Sequence, residues 1–63
     1  MKGTKEQKQS YEALKNKWAV VDKPVPMIGD EGVWMVRVGR KSESPHYTST
    51  LWVGIEPDGY THS

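Results

Sequence analysis

The sequence predicts an α+β fold, in which an N-terminal amphipathic helix packs on a small antiparallel sheet of two to three strands. Three observations lead to this prediction. One segment has apolar residues at helical spacing, two later segments are rich in branched and aromatic residues, and the length of 63 residues leaves room for little more than one small core. We therefore expect a single domain, residues 1–63.

The helix is predicted over residues 4–17, where a start signal and an apolar stripe coincide. Thr4 followed by Gln7 fits a capping box, in which the Thr hydroxyl accepts from a free backbone N–H and the Gln side chain reaches back. Residues at spacings of four, three and four then share one helical face. They are Gln7, Tyr11, Leu14 and Trp18.

The next two segments are harder to assign. Residues 18–22 fit either a short strand or the last helical turn, and Val20-Val21 favours the strand because branched residues lose rotamer freedom in a helix. Residues 23–32 are expected to form a connector, since Pro24 and Pro26 hold the backbone extended and a polar turn of Gly, Asp and Glu follows.

A hairpin over residues 32–56 is the strongest β signal, with a four-residue turn expected at 42–45. That turn would place Trp34 opposite Val53 and Val36 opposite Leu51. One face of the hairpin then holds six large apolar side chains, which the helix stripe would cover: Trp34, Val36, Val38, Leu51, Val53 and Ile55. The tail, residues 57–63, fits either a further edge strand or a frayed end.

Composition and charge exclude several classes of protein. The absence of cysteine removes disulfides and Cys-based zinc sites. No apolar run approaches the ~20 residues of a membrane span, and residues 1–17 lack the apolar core of a signal peptide. Because the chain also begins with Met1, we expect a complete protein with a cytoplasmic localisation.

No catalytic, cofactor or metal site is expected. A hydrolytic triad needs a nucleophile, a base and an orienting acid on a rigid scaffold. The only imidazoles belong to His46, in the hairpin loop, and His62, beside the C-terminus. Their separation matches no zinc spacing, and the glycines form no phosphate-binding pattern. The sequence therefore predicts a protein that is not an enzyme and takes no small-molecule substrate.

The opposite face of the hairpin is the predicted binding surface. A single helix can cover only one side of a sheet, so this face stays exposed unless another segment folds across it. Trp, Met and Arg are enriched at protein interfaces, and Met35 is expected opposite Trp52. The face also includes Thr48. The predicted partner-binding residues are Val33, Met35, Arg37, Thr50 and Trp52.

These features predict a small protein-interaction module that acts as a regulator or inhibitor, of a size common among phage and mobile-element products. A homodimer through the same face fits equally well, because a symmetric dimer would enlarge a small core. The alternative is a small nucleic-acid-binding regulator, although a net charge of +1 would make such binding weak and salt-dependent. Its contact residues would be Lys8, Lys15, Arg37, Arg40 and Lys41.

Overall fold

The computed structural model describes residues 2–63, which form one helix and one five-stranded antiparallel sheet. The elements are α1 (Lys5–Lys17), β1 (Ala19–Val20), β2 (Val25–Met27), β3 (Asp30–Gly39), β4 (Leu51–Ile55) and β5 (Thr61–His62), with a short 3-10 turn at Lys41–Glu43. The α+β class is confirmed. The sheet is larger than the two to three strands predicted, because the segments assigned to a connector and a tail also pair.

Helix α1 begins with the predicted capping box. The Gln7 N–H donates to Thr4 Oγ1 at 3.0 Å, and the Thr4 N–H donates to Gln7 Oε1 at 3.0 Å. The helix ends after Lys17, where Trp18 takes an extended conformation and its N–H donates to the carbonyl of Leu14 at 2.9 Å. The following valines therefore leave the helix and begin the sheet.

Strand β3 lies at the centre of the sheet. Val38 pairs with Leu51 of β4 on one edge and with Val20 of β1 on the other. Strand β2 follows β1 along that second edge, and β5 pairs with the outer edge of β4. Every β1, β2 and β4 side chain is therefore placed relative to a β3 residue.

The structure corrects the assignment of residues 18–32. Of residues 18–22, only Ala19 and Val20 form a strand, and the expected connector contains β2 and the start of β3. The two strands are joined by the two-residue turn Ile28–Gly29, in which Gly29 has φ +88°. Glycine is the residue that a type II turn requires at this position.

The predicted hairpin register is wrong by two residues. Trp34 lies opposite Ile55, Val36 opposite Val53, and the expected four-residue turn is a loop from residue 40 to residue 50. This loop makes its own bonds, since the Glu43 carboxylate accepts from the N–H of Thr48 at 3.2 Å and from its hydroxyl at 3.1 Å. Because side chains alternate with a period of two, the shift leaves each strand residue on its predicted face.

The inner face of the sheet, packed against α1, holds the core. Five of the six residues predicted there are buried: Trp34, Val36, Val38, Val53 and Ile55. Tyr11, Leu14, Trp18 and Val20 pack against them. Leu51 departs from the prediction: it is the first residue of β4 and is 46% exposed.

A buried glutamine joins the helix to the sheet. Gln7 Nε2 donates to the carbonyls of Gly32 at 2.7 Å and Ile55 at 3.0 Å, and the residue is 2% exposed. One side chain thus links the start of α1 to the beginning of β3 and the end of β4.

Two hydroxyl groups of the helix reach the neighbouring β4–β5 turn. Thr4 Oγ1 donates to the carbonyl of Pro57, and Ser10 Oγ to that of Gly59, both at 2.5 Å. The first two turns of the helix are therefore attached to the sheet and its β4–β5 turn by polar contacts as well as by the core.

Replacing Gln7 with Leu should destabilise the protein by about 2–4 kcal/mol, because two strand carbonyls would lose a buried donor and the Thr4 N–H its acceptor. Gln9 is exposed on the same helix, so Gln9→Leu is the matched control and should change stability by about 0.5 kcal/mol or less. Urea unfolding measures both. Equal effects of the two substitutions would contradict this role for Gln7.

Gly59→Ala should cost more stability than Gly29→Ala. Both glycines have positive φ, +92° and +88°, so a side chain costs about 1–2 kcal/mol at either position. A Cβ at Gly59 would also lie 3.0 Å from Ser10 Oγ and 3.1 Å from the carbonyl oxygen of Glu6, whereas nothing lies within 4 Å at Gly29. Thermal unfolding of both variants tests this, and equal losses would show that the turn can move away from the helix.

Candidate functional site: the outer face of the sheet

The outer face is the side of the sheet opposite α1. Across it, Met35 of β3 lies between Val25 of β2 and Gly54 of β4. In the next row Arg37 lies opposite Trp52. The helix covers only the inner face, so these side chains border solvent or each other.

An apolar groove of about 370 Å³ crosses the outer face. It is lined by Val25, Pro26, Met27, Ile28, Met35 and Trp52, and is called the outer groove below. Ile28, at the tip of the β2–β3 turn, is 99% exposed, and Trp52 is 45% exposed. Apolar side chains scattered singly over a surface need no explanation, but here six of them are contiguous.

The structure brings two of the predicted partner-binding residues together in the outer groove, Met35 and Trp52, with Arg37 beside them. Their pairing differs from the prediction, since Met35 lies opposite Gly54 and Arg37 opposite Trp52. Thr50, exposed, lies in the loop before β4 and not on a strand. The changed pairing of Met35 and Arg37 follows from the two-residue register shift.

Val33 does not lie on the exposed surface. It is 2% exposed, next to buried Trp34. The reason is an irregularity in β3: Pro26 pairs with Trp34 but Met27 pairs with Asp30, so residues 31–33 are extra on the β3 side. Beside this irregularity the side chain of Val33 is covered, although it does not belong to the core cluster of the inner face.

Arg37 gives the groove a polar margin. Its Nη2 lies 3.0 Å from the Asp22 carboxylate, whereas its Nε is buried and has no hydrogen-bond partner within the described chain. The ion pair is partly exposed, so its contribution to stability is small. Its effect on the surface is to place a neutral, oriented pair of charges beside Trp52.

Two glycines allow aromatic rings to lie on the outer face. A Cβ at Gly39 would lie 2.6 Å from the ring of Tyr47, and one at Gly54 would lie 2.8 Å from the ring of His62. His62 Nε2 lies 2.8 Å from the Glu56 carboxylate, which orients the imidazole. These rings extend the apolar and aromatic surface on either side of Trp52.

Sequence reasoning missed the β2 side of the groove. Val25, Met27 and Ile28 were assigned to the connector because Pro24 and Pro26 interrupt the pattern. The signal was present in the Ile28–Gly29 pair between two short extended segments, since a two-residue loop ending in glycine is typical of a hairpin. The rings of Tyr47 and His62 had no comparable signal, because each reaches its glycine from a loop or a terminal strand.

The five basic residues of the nucleic-acid alternative do not converge on one surface. Arg37 lies on the outer face. Lys8, on α1, lines a cleft of about 340 Å³ together with the buried Trp34. Lys15 Nζ lies 3.3 Å from Glu12 and 5.1 Å above the Tyr11 ring. Lys41 Nζ donates to the Asn16 carbonyl at 2.8 Å, and Arg40 is exposed.

Comparison with protein-family models, with curated proteins and with solved structures finds no match to this chain. No helix in residues 2–63 combines the length and apolar character needed to cross a membrane. Within the same part of the chain, no three His, Asp or Glu side chains converge as metal ligands would.

Trp52→Ala should destabilise the dilute protein far less than Trp34→Ala. Trp34 is 6% exposed and packs edge-on against Tyr11 at a centroid distance of 6.1 Å, so its truncation should cost about 3–5 kcal/mol. For Trp52, half exposed, we expect about 1 kcal/mol or less. Urea unfolding followed by circular dichroism compares them. A large loss for Trp52→Ala would mean that this residue belongs to the core.

Proposed function

We propose that this protein is a small non-enzymatic interaction module, a regulator or inhibitor that binds a specific protein partner through the outer groove. The observation that supports this proposal is a contiguous apolar groove on the face that the only helix of residues 2–63 leaves uncovered. Burial of such a surface by a partner is favourable by roughly 25 cal/mol per Å² of apolar area.

The residue types in the groove suit recognition of another protein. Trp52 is a large and rigid anchor, and tryptophan is among the residues that most often dominate binding energy. Met27 and Met35 have flexible, polarizable side chains that adapt to the shape of a partner. Arg37, held by Asp22 at the margin, supplies the polar rim that usually surrounds such an anchor.

Binding of nucleic acid is the alternative function, and the experiment must distinguish it from binding of a protein. Its five basic residues lie on different surfaces, and three of them already contact Glu12, Asp22 or the Asn16 carbonyl. Phosphate contacts through the remaining cations would be few and would weaken steeply with salt.

The test is affinity capture from cell lysate, with and without nuclease, using the wild type, Trp52→Ala and Leu51→Ala. Leu51 is the matched control, because it adjoins Trp52 on β4, is equally exposed, and points to the inner face. We expect a protein that is retained after nuclease treatment by the wild type and by Leu51→Ala, and that Trp52→Ala loses by at least tenfold.

Two outcomes would contradict the proposal. Loss of the captured material on nuclease treatment, together with its loss in an Arg40→Glu/Lys41→Glu variant, would favour nucleic acid. Equal capture by the wild type and by Trp52→Ala would place the binding surface elsewhere.

A further inference from the structure

The outer face carries both a projecting apolar side chain and an apolar recess. Ile28 extends from the tip of the β2–β3 turn and is 99% exposed, so it gains almost nothing from its own chain. The outer groove, about 370 Å³, is large enough to receive a side chain of this size. Ile28 borders this groove at one end and Trp52 at another, so the projection of one copy can pack into the Trp52 end of the groove of a second copy, as an isologous interface requires.

The strand register places these two features on opposite sides of Met35. Met35 pairs with both Val25 and Gly54, so it lies in the middle of the groove. From there Ile28 lies towards the β2–β3 turn, whereas Trp52, opposite Arg37, lies in the other direction along the strands. A two-fold axis that passes over Met35 would lie in the plane of the interface, perpendicular to the line from Ile28 to Trp52. It would oppose the two outer faces and bring Ile28 of each copy onto Trp52 of the other.

The charged residues at the two ends of the outer face fit the same two-fold symmetry. Asp30 and Glu31 follow Ile28 at the turn end of the face. Arg37 and Arg40 lie at the Trp52 end, where Asp22 neutralises one of them. The axis through Met35 opposes the acidic end of one copy to the basic end of the other, so both ends attract.

The size of the face is sufficient for a dimer. The Cα trace measures 30 × 22 × 18 Å, so a contact over the whole of a broad side would cover on the order of 650 Å² per copy and about 1,300 Å² for two, at the lower end of the roughly 1,200–2,000 Å² of stable specific interfaces. A whole-face contact between two copies would therefore be large enough to persist.

We propose that the free protein forms a symmetric homodimer through the outer face, with Met35 at the axis and Ile28 of each copy packed on Trp52 of the other. This inference rests on the proposed function, because it uses the same surface. It adds a form of regulation, since the dimer must dissociate before a different protein can occupy the groove. Binding of that protein would then become weaker as the concentration of this chain rises.

The test is sedimentation equilibrium of the wild type over a range of concentrations. We expect the average mass to rise from 7.2 kDa towards twice that value. Ile28→Glu and Trp52→Lys should each remain monomeric at concentrations where the wild type is a dimer. Circular dichroism checks that both variants are folded. Leu51→Lys, on the inner face of the same strand, is the control and should dimerise as the wild type does.

An equimolar mixture of Ile28→Glu and Trp52→Lys tests the symmetry. In the mixed dimer one contact keeps the native Ile28 and Trp52, and the other pairs the new carboxylate with the new ammonium group. We therefore expect the mixture to recover most of the dimer that each variant alone has lost. A mixture that stays monomeric would overturn the proposed arrangement.

The outcomes also separate this inference from the proposed function. A wild type that stays at 7.2 kDa at every concentration, yet captures a protein through Trp52, would overturn the homodimer and leave the proposed function standing. A wild type that dimerises as described but captures no protein at any concentration would support the homodimer and contradict the proposed function.

Discussion

The rest of the structure depends on the contact between Gln7 and the sheet. Helix α1 has only 13 residues, a length at which an isolated helix is marginal in water, so its position must come from tertiary contacts. Gln7 supplies a directional contact of this kind. Its amide group donates to Gly32 and Ile55 and accepts from Thr4, so a single buried side chain completes the helix cap and fixes the helix on two strands at once.

This attachment explains why the two faces of the sheet differ. With its N-terminal end held against β3 and β4, the helix directs Tyr11, Leu14 and Trp18 onto the inner face, where the core forms. No second helix in residues 2–63 is available for the outer face. The apolar side chains on that side, such as Met35 and Trp52, therefore remain partly exposed and do not contribute to the core.

Features that depend on the spacing of residues close together in the chain could be predicted from the sequence. The capping box of Thr4 and Gln7 and the core face of β3 follow from spacing alone, and the core face survived an incorrect register because the error was an even number of residues. Features that depend on distant contacts were missed. Pro24 and Pro26 masked the turn signal of Ile28–Gly29, and nothing near Val33 reveals the extra residues of β3. The second role of Gln7, as donor to the sheet, requires Ile55 to be in place.

Hydroxyl-radical labelling of Trp and Met side chains, read by mass spectrometry, tests the central claim most directly. In dilute protein we expect rapid labelling of Trp52 and slow labelling of Trp34, as their exposures of 45% and 6% require. As the concentration rises, or when a captured protein is added, labelling of Trp52, Met27 and Met35 should fall while the slow labelling of Trp34 stays constant. Equal labelling of Trp34 and Trp52, or no protection of Trp52 under either condition, would contradict the account of an exposed outer face that binds protein.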